Sequence, residues 1–197
     1  MSRVAILIPT MNRSEFMIRQ LRYYASVKSP HPIYIGDASN KTHREKMEKE
    51  ISKLRRDISV HYCHWPGLND RQTIKKLGET ATEPFCAYNG DDDFLIPTSL
   101  ELCTNYLRKH SNYSSVLGLF FIHRVGRGFI KKTFWLDPLY SATASSLEEK
   151  TGANRIIKYL HGESPYYPFY AVHSTNIFCL IWQETTKHVK HQGLSEL

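Results

Sequence analysis

The first 110 residues contain two hydrophobic patterns in alternation, continuous apolar runs and segments with helical spacing. Near-continuous apolar runs are typical of strands buried on both faces, and they occupy residues 3–9, 32–35, 58–63 and 84–88. After each run the apolar residues recur every three or four positions, which predicts helices beginning near residue 12 and over residues 41–56, 70–81 and 98–110. This alternation predicts an α/β fold, with a mostly parallel sheet flanked by helices on both faces.

The first helix has a start signal in the sequence. Asn12 and Glu15 have the spacing of a capping box, in which each side chain accepts a hydrogen bond from the backbone N–H of the other residue. We therefore expect Asn12 to be the N-cap of this helix. Its buried stripe would contain Met17, Leu21, Tyr24 and Ala25.

The pattern changes after residue 113. Residues 114–125 and 129–136 are strand-like, and the intervening Gly126–Gly128 predicts a hairpin turn. Residues 146–160 predict a helix, and residues 164–170, which are rich in Pro and Tyr, predict an irregular loop. A chain of 197 residues is long enough for one domain with a substantial core and short for two.

Composition narrows the class of protein. Apolar residues make up 41% of the chain and charged residues 23%, which is ordinary for a soluble globular protein. No apolar run approaches the about 20 residues of a membrane span, and the N-terminal run is too short for a signal peptide, so we expect a cytoplasmic protein. The four cysteines form no CxxC pair, and we expect neither a disulfide framework nor a zinc site.

The net charge of +7 favours anionic partners such as phosphorylated substrates, an acidic membrane surface or nucleic acid. The basic residues are spread along the chain, without a dense basic stripe or an RNP-like aromatic motif. We therefore expect no nucleic-acid partner.

In doubly wound sheets, ligands bind beyond the carboxyl ends of the strands, and the clearest chemical signal lies there. Asp91, Asp92 and Asp93 follow the fourth predicted strand. Three adjacent carboxylates repel one another unless a cation neutralises them, and Mg²⁺ and Mn²⁺ take carboxylate and phosphate oxygens as ligands. The same residues are also typical of a turn before a helix. The triplet thus predicts a divalent metal site, with a plain turn as the alternative.

Asp37 ends the second predicted strand. An acidic residue at this position can accept hydrogen bonds from a ribose or a base, and an Asx turn within GDASN explains it equally well.

No GxGxxG follows the first strand, which argues against a nicotinamide or flavin enzyme. No GxxxxGK[ST] occurs either, which argues against a P-loop nucleotidase.

Three motifs together resemble family 2 glycosyltransferases of the GT-A fold, which is Rossmann-like. They are IPTMNR after the first strand, GDAS after the second and DDDFLIP after the fourth. The segment YYPFYAVHST is similar to a bacterial branch of that family. The resemblance implies one GT-A domain over residues 1–197, with a nucleotide-sugar-binding half (1–112) and a smaller acceptor-side half of hairpin and helices (113–197). Because members are usually longer, it also implies a C-terminally truncated or minimal version.

The resemblance assigns roles to individual residues. The donor nucleotide would be bound by Pro9, Thr10, Asn12, Asp37, Arg71 and Asp91. Within this set Asp37 would bind the base and Asp91 would face the ribose. Asp92 would ligate Mg²⁺ or Mn²⁺, with Asp91 and then Asp93 as further candidate ligands.

Inverting members of the family use a carboxylate base to deprotonate the acceptor hydroxyl. Glu196, in the context Gly-Leu-Ser-Glu, fits by position, and a frayed terminal residue explains it equally well. Asp137 is the reserve candidate. An aromatic segment would contribute an acceptor platform or, as the favoured interpretation, pack into the core; it contains Tyr166, Tyr167, Tyr170 and His173.

The expected reaction is transfer of a sugar from a UDP-linked donor to a hydroxyl of a glycan, lipid-linked or protein acceptor, in the synthesis of surface polysaccharide or glycoconjugates. Peripheral association with the inner face of the membrane fits such acceptors. One alternative is a nucleotidyltransferase of related fold, which is disfavoured because PTMNR is not a Gly-rich basic loop. Another is an inactive module that binds nucleotide sugars or nucleic acid.

Overall fold

The first four strands alternate with helices, as the hydrophobic pattern predicts. The computed structural model describes residues 2–127, 132–138, 146–161 and 168–188. The strands are β1 (Val4–Thr10), β2 (Ile33–Asp37), β3 (Val60–His64) and β4 (Phe85–Tyr88). The helices are α1 (Ser14–Ser26), α2 (Lys41–Leu54), α3 (Asp70–Thr80) and α4 (Pro97–Lys109). The predicted α/β fold class is confirmed.

The chain divides into two compact units, Met1–Val116 with Phe169–Leu197, and Leu117–Pro168. The first unit contains a six-stranded sheet in the order β3-β2-β1-β4-β8-β5, where β5 is Ser115–Val116 and β8 is Val172–Ser174. Strands β1 to β4 pair in parallel, whereas β8 is antiparallel to both β4 and β5. Helix α6 (Thr175–His188) follows β8.

Both faces of the sheet are covered by helices, which explains the unbroken apolar run of β1. Val4, Ile6 and Ile8 pack into a cluster with residues of α1, α2 and α4. Ala5 and Leu7 point to the opposite face and pack with residues of α3 and α6. All five side chains are fully buried, so no polar residue alternates along the strand.

The second unit contains the predicted hairpin, with shifted strand limits. Strand β6 (Phe121–Arg127) pairs antiparallel with β7 (Lys132–Pro138), and α5 (Gly152–Leu160) follows. Residues 114–125 were expected to form one strand, but residues 115–116 belong to the sheet of the first unit. The expected helix over 146–160 begins only at residue 152, where the Thr151 side chain caps it.

The predicted capping box at the start of α1 is wrong. Helix α1 begins at Ser14, and its N-cap Arg13 makes no side-chain capping bond. Asn12 instead has a positive φ of 59°, and its side-chain oxygen accepts a hydrogen bond from the Asn40 backbone N–H. Asparagine tolerates this left-handed conformation better than most residues. A contact with the loop after β2 has therefore replaced the local capping contact.

The end of the described chain also differs from expectation. Residues 164–170 were expected to form a loop; residues 168–170 form one turn of 3₁₀ helix, and the others lie outside the described residues. The sequence pattern did not predict β8 or α6. None of the helices in the described ranges has the length and apolar composition needed to cross a membrane.

The two buried cysteine thiols contribute to core packing. All four are free, and Cys86 and Cys103 are buried. Burial raises the pKa of the Cys86 thiol to about 12, so it stays protonated at neutral pH.

The buried Glu50 in α2 makes stability depend on pH. Its carboxylate accepts hydrogen bonds from Arg22 Nε (2.6 Å) and Lys53 Nζ (2.7 Å), which lower its pKa from 4.5 to about 2. A carboxyl whose pKa is lower in the folded state stabilises above its unfolded pKa, and that contribution is lost as the pH falls through the folded pKa. We expect Glu50→Gln to lower the free energy of unfolding by about 1–2 kcal/mol at pH 7. The loss should be no larger, because Arg22 and Lys53 are largely exposed and solvent screens their charges.

Urea unfolding should show this loss shrinking as the pH is lowered from 4.5 towards 2, where wild-type Glu50 takes up a proton. Glu48→Gln is the matched control in the same helix, because Glu48 is exposed and its carboxylate pairs with Arg44 at 2.9 Å. A loss at position 50 that is independent of pH would contradict the assignment.

Candidate functional site

The carboxyl ends of the parallel strands meet at one edge of the sheet. Thr10 at the end of β1 pairs with Asp37 of β2, and Asp37 pairs with His64 of β3. Strand β4 ends earlier, but the Asn89 backbone N–H still donates to the Leu7 carbonyl, at 2.9 Å. The loop of residues 90–93 after β4, which we call the carboxylate loop, therefore leaves the sheet at this edge.

The first residue of the carboxylate triplet is held from β1. Thr10 Oγ1 donates a hydrogen bond of 2.8 Å to Asp91 Oδ2, and both residues are buried. Burial raises the pKa of the Asp91 carboxyl, while the Thr10 hydrogen bond and the nearby Arg13 act in the opposite direction. The strand-end threonine is thus a direct partner of a predicted site carboxylate.

Arg13 bridges two of the three carboxylates. One terminal nitrogen of its guanidinium lies 3.1 Å from Asp91 Oδ1, and the other lies 2.7 Å from Asp92 Oδ2. The hydrogen bond to Asp92 raises the pKa of Arg13. The guanidinium carbon also lies 4.4 Å from the ring centre of Phe16. Sequence reasoning did not single out Arg13, although it is the only cation in the segment between β1 and α1.

The third carboxylate has a different environment. Asp93 is exposed, and Tyr170 forms a side-chain hydrogen bond with its carboxylate. The Tyr170 ring packs beside Tyr88 and Phe169, with the Tyr88 ring centre 3.9 Å from that of Phe169 and 5.4 Å from that of Tyr170. The triplet is therefore unequal, with Asp91 and Asp92 sharing one cation and Asp93 paired with an aromatic hydroxyl.

Gln20 holds the backbone of the carboxylate loop in place. This fully buried side chain on α1 donates hydrogen bonds of 2.5 Å to the carbonyl oxygens of both Gly90 and Asp93. Asn89 Nδ2 donates to the same Asp93 carbonyl, at 3.2 Å. Sequence reasoning missed Gln20. The available signal was a polar residue in the buried stripe of α1, next to Leu21 and one turn from Met17 and Tyr24.

Asp37 is fully buried and has partners on both carboxylate oxygens. Oδ1 accepts a hydrogen bond of 2.7 Å from the Ser39 backbone N–H, which is the Asx turn that the sequence left open. Oδ2 accepts one of 2.6 Å from the Tyr62 hydroxyl. Burial, and then this bond to Asp37, raise the pKa of Tyr62. Asp37 thereby fixes the loop after β2 against β3.

The loops after β1 and β2 are joined by a second set of hydrogen bonds. The Asn12 backbone N–H donates to Ser39 Oγ at 2.7 Å, in addition to the bond that Asn12 accepts from Asn40. His64 Nε2 lies 2.8 Å from the Ser39 carbonyl oxygen. Ser39 therefore connects the segments that follow β1 and β2 with the end of β3.

The remaining predicted donor-binding residues lie near this edge. Pro9 pairs with Gly36 in the sheet, and Arg71 lies in the first turn of α3. Helix α3 approaches β2 so closely that a side chain at Gly36 would overlap Thr73 and the Trp65 ring. Glycine is required here for the close packing of the helix on the strand.

The described residues do not include the predicted catalytic base, and its reserve candidate belongs to the second unit. Glu196, Tyr166 and Tyr167 lie outside the described residues. Asp137 lies in the second unit, is exposed, and accepts a hydrogen bond of 2.9 Å from Arg124 Nε. His173 is buried in β8 between β4 and β5, which favours packing as its role.

Removing the Gln20 amide should weaken the carboxylate loop. We expect Gln20→Leu to lower the free energy of unfolding by about 1–3 kcal/mol, because the half-buried Gly90 carbonyl loses its donor. Gln72→Leu is the matched control, since it removes the side-chain bond of an exposed capping box at the start of α3 and costs about 0.5–1 kcal/mol. Urea unfolding measures both, and equal losses would contradict the role of Gln20.

No family model matches the chain, and no curated protein matches it. Among solved structures, residues 1–349 of S. aureus TarS, a glycosyltransferase, match 98% of this chain and 52% of that chain, with a TM-score of 0.59 and 14% identity. The chain thus spans about half the length of that structure.

Two further matches are shorter. The mannosyltransferase PcManGT from Pyrobaculum calidifontis, in complex with GDP-Man and Mn²⁺, matches 58% of this chain and 34% of that chain, at 12% identity and a TM-score of 0.49. TarS residues 1–349 in complex with UDP-GlcNAc match 55% of this chain and 32% of that chain, at 13% identity and a TM-score of 0.47. The match over nearly the whole chain shows the fold: this protein has a GT-A-like glycosyltransferase fold.

Proposed function

We propose that the protein is a metal-dependent, inverting glycosyltransferase that moves a sugar from a UDP-linked donor to a hydroxyl acceptor. The observation that carries this proposal is the pair of carboxylates, Asp91 and Asp92, that converge on one cation at the carboxyl edge of the sheet. The fold adds support, since TarS, which matches nearly the whole chain, has been solved with UDP and with UDP-GlcNAc.

The side chains present fit a divalent cation that is shared with a nucleotide. Asp91 Oδ1 and Asp92 Oδ2 already face a common positive group, the Arg13 guanidinium. Within the described ranges, no group of three or more His, Cys, Asp or Glu side chains could hold a metal alone. Mg²⁺ in nucleotide sites commonly takes one or two carboxylates and completes its shell with phosphate oxygens and water. When bound, such a cation would neutralise charge on the diphosphate leaving group.

In this proposal the strand-end residues hold the donor. Pro9, Thr10 and Asn12 line the nucleoside pocket, and Asp37 shapes its base side through the Ser39 turn and Tyr62. Arg71 in the first turn of α3 would contact the nucleotide. Of these groups, the Arg71 guanidinium would stabilise the negative charge that develops as the donor bond breaks.

The reaction is a single displacement. The acceptor oxygen attacks the anomeric carbon, and the bond from that carbon to the β-phosphate oxygen breaks. The electron pair of that bond leaves with the nucleoside diphosphate, and the hydroxyl proton passes to a carboxylate base. The proposed acceptor is a glycan, lipid-linked or protein hydroxyl, and the net charge of +7 would favour contact with an anionic membrane surface.

Substitution of Asp92 tests the proposed donor site most directly. We expect Asp92→Asn to weaken Mn²⁺-dependent binding of UDP at least about 10-fold, because one of the two carboxylates is lost. Isothermal titration calorimetry with and without Mn²⁺ measures this. Asp57→Asn, at an exposed position outside the strand-end loops, is the control and should leave binding unchanged. Equal UDP affinity in wild type and Asp92→Asn would refute the metal assignment.

The products distinguish the reaction class. Incubation with a UDP-sugar and Mn²⁺ should release UDP, whereas exchange of pyrophosphate would indicate a nucleotidyltransferase. Nucleotide release without acceptor is expected to be slow, because water replaces the acceptor hydroxyl.

Glu196 remains the predicted base, with Asp137 in reserve. We expect Glu196→Gln to lower kcat about 100-fold or more while leaving the affinity for UDP intact, since the base acts on the acceptor proton and not on the nucleotide. Asp137→Asn is the parallel variant. Steady-state kinetics with one acceptor decide between them, and full activity in both variants would exclude both residues.

A further inference from the structure

Arg13 occupies the oxygens that the proposed cation would need. Its guanidinium contacts Asp91 Oδ1 at 3.1 Å and Asp92 Oδ2 at 2.7 Å. The second oxygen of Asp91 accepts the hydrogen bond from Thr10. The two carboxylate oxygens that face a common point are therefore the ones already paired with Arg13.

We infer that Arg13 is an exchangeable counter-ion, which neutralises Asp91 and Asp92 in the metal-free protein and leaves them when a divalent cation binds. The inference rests on the proposed function. It adds Arg13, which was not among the expected donor-binding residues. It also couples the binding of the metal to the binding of the nucleotide.

Electrostatics makes the two cations exclusive. Adjacent carboxylates without a counter-ion repel each other, so the metal-free loop gains stability from Arg13. A divalent cation in contact with the same oxygens would lie a few ångströms from the guanidinium, where like charges repel strongly. Metal binding must therefore break at least one of the two Arg13 ion pairs.

The surroundings of Arg13 allow it to move. About two fifths of its side chain is exposed (41%), whereas only 9% of the Asp91 side chain is exposed. The Phe16 ring, 4.4 Å from the Arg13 guanidinium carbon, offers a contact that survives when the ion pairs break. Asp91 is held by Thr10, and the loop backbone is held by Gln20, so Arg13 is the mobile partner in its ion pair with Asp91.

This arrangement couples the metal to the nucleotide. Metal alone has to displace Arg13 and gives it no new anionic partner. A nucleoside diphosphate bound with the metal supplies phosphate oxygens, with which arginine forms strong hydrogen bonds. Metal and nucleotide should therefore each increase the affinity for the other, by the same factor.

The experiment measures Mn²⁺ binding by calorimetry, without and with UDP, in the full chain. We expect Arg13→Gln to bind Mn²⁺ alone about 10-fold more tightly than wild type, and to show a smaller increase in Mn²⁺ affinity when UDP is present. Arg19→Gln is the matched control, because Arg19 lies over the same Phe16 ring at 4.8 Å and has no recorded contact with the carboxylates among the described residues. It should behave as wild type.

Arg13→Lys provides a second variant if the glutamine variant does not fold, as judged by circular dichroism. It keeps the charge and loses the two-pronged contact, so its affinity for Mn²⁺ alone should lie between those of wild type and Arg13→Gln. Unchanged or weaker binding of Mn²⁺ alone in both Arg13 variants would overturn the inference while leaving the proposed function standing. Absence of Mn²⁺ binding in wild type, even with UDP, would instead overturn the proposed function.

Discussion

Repulsion between the neighbouring carboxylates Asp91 and Asp92 is the constraint on which the rest of the site depends. The buried strand β4 delivers them to the edge of the sheet, and the loop that carries them needs partners for both its charges and its backbone. Arg13 supplies the positive charge, and Gln20 supplies hydrogen bonds to the loop carbonyls. Both belong to the chain segment after β1, so the geometry of the carboxylate loop is set by a contact between distant parts of the sequence.

The sequence was most informative where burial is complete. Strands β1, β2 and β4 place apolar residues on both faces because helices cover both sides of the sheet, and such runs are visible without knowledge of the fold. Helix α6 was missed for a different reason. Phe178 and Trp182 are buried, but Ile177, Leu180 and Ile181 are exposed, so its apolar residues surround the helix instead of forming one stripe. Strand β8, with three residues, is too short to show a period.

The candidate site is visible in the sequence where its chemistry is local. Three adjacent carboxylates after a strand are conspicuous in any sequence, and the Asx turn at Asp37 depends on residues two positions apart. Arg13 and Gln20 are ordinary residues at their positions, and only the folded chain shows what they contact. The same limit applies to Asn12, whose spacing from Glu15 predicted a capping box. Its hydrogen bonds to the loop after β2 outweighed that local preference.

The position of β8 in the sheet affects folding during synthesis and the expression of fragments. In the sheet, β4 lies between β1 and β8, and the last residue of β8, Ser174, pairs with the first residue of β4, Phe85. While a ribosome has released only the first 116 residues, the backbone groups on that side of β4 have no strand to pair with. An open sheet edge of this kind readily pairs with another chain. Fragments that stop before β8 would therefore tend to aggregate, and expression of residues 1–116 alone would suffer for a reason unrelated to any ligand.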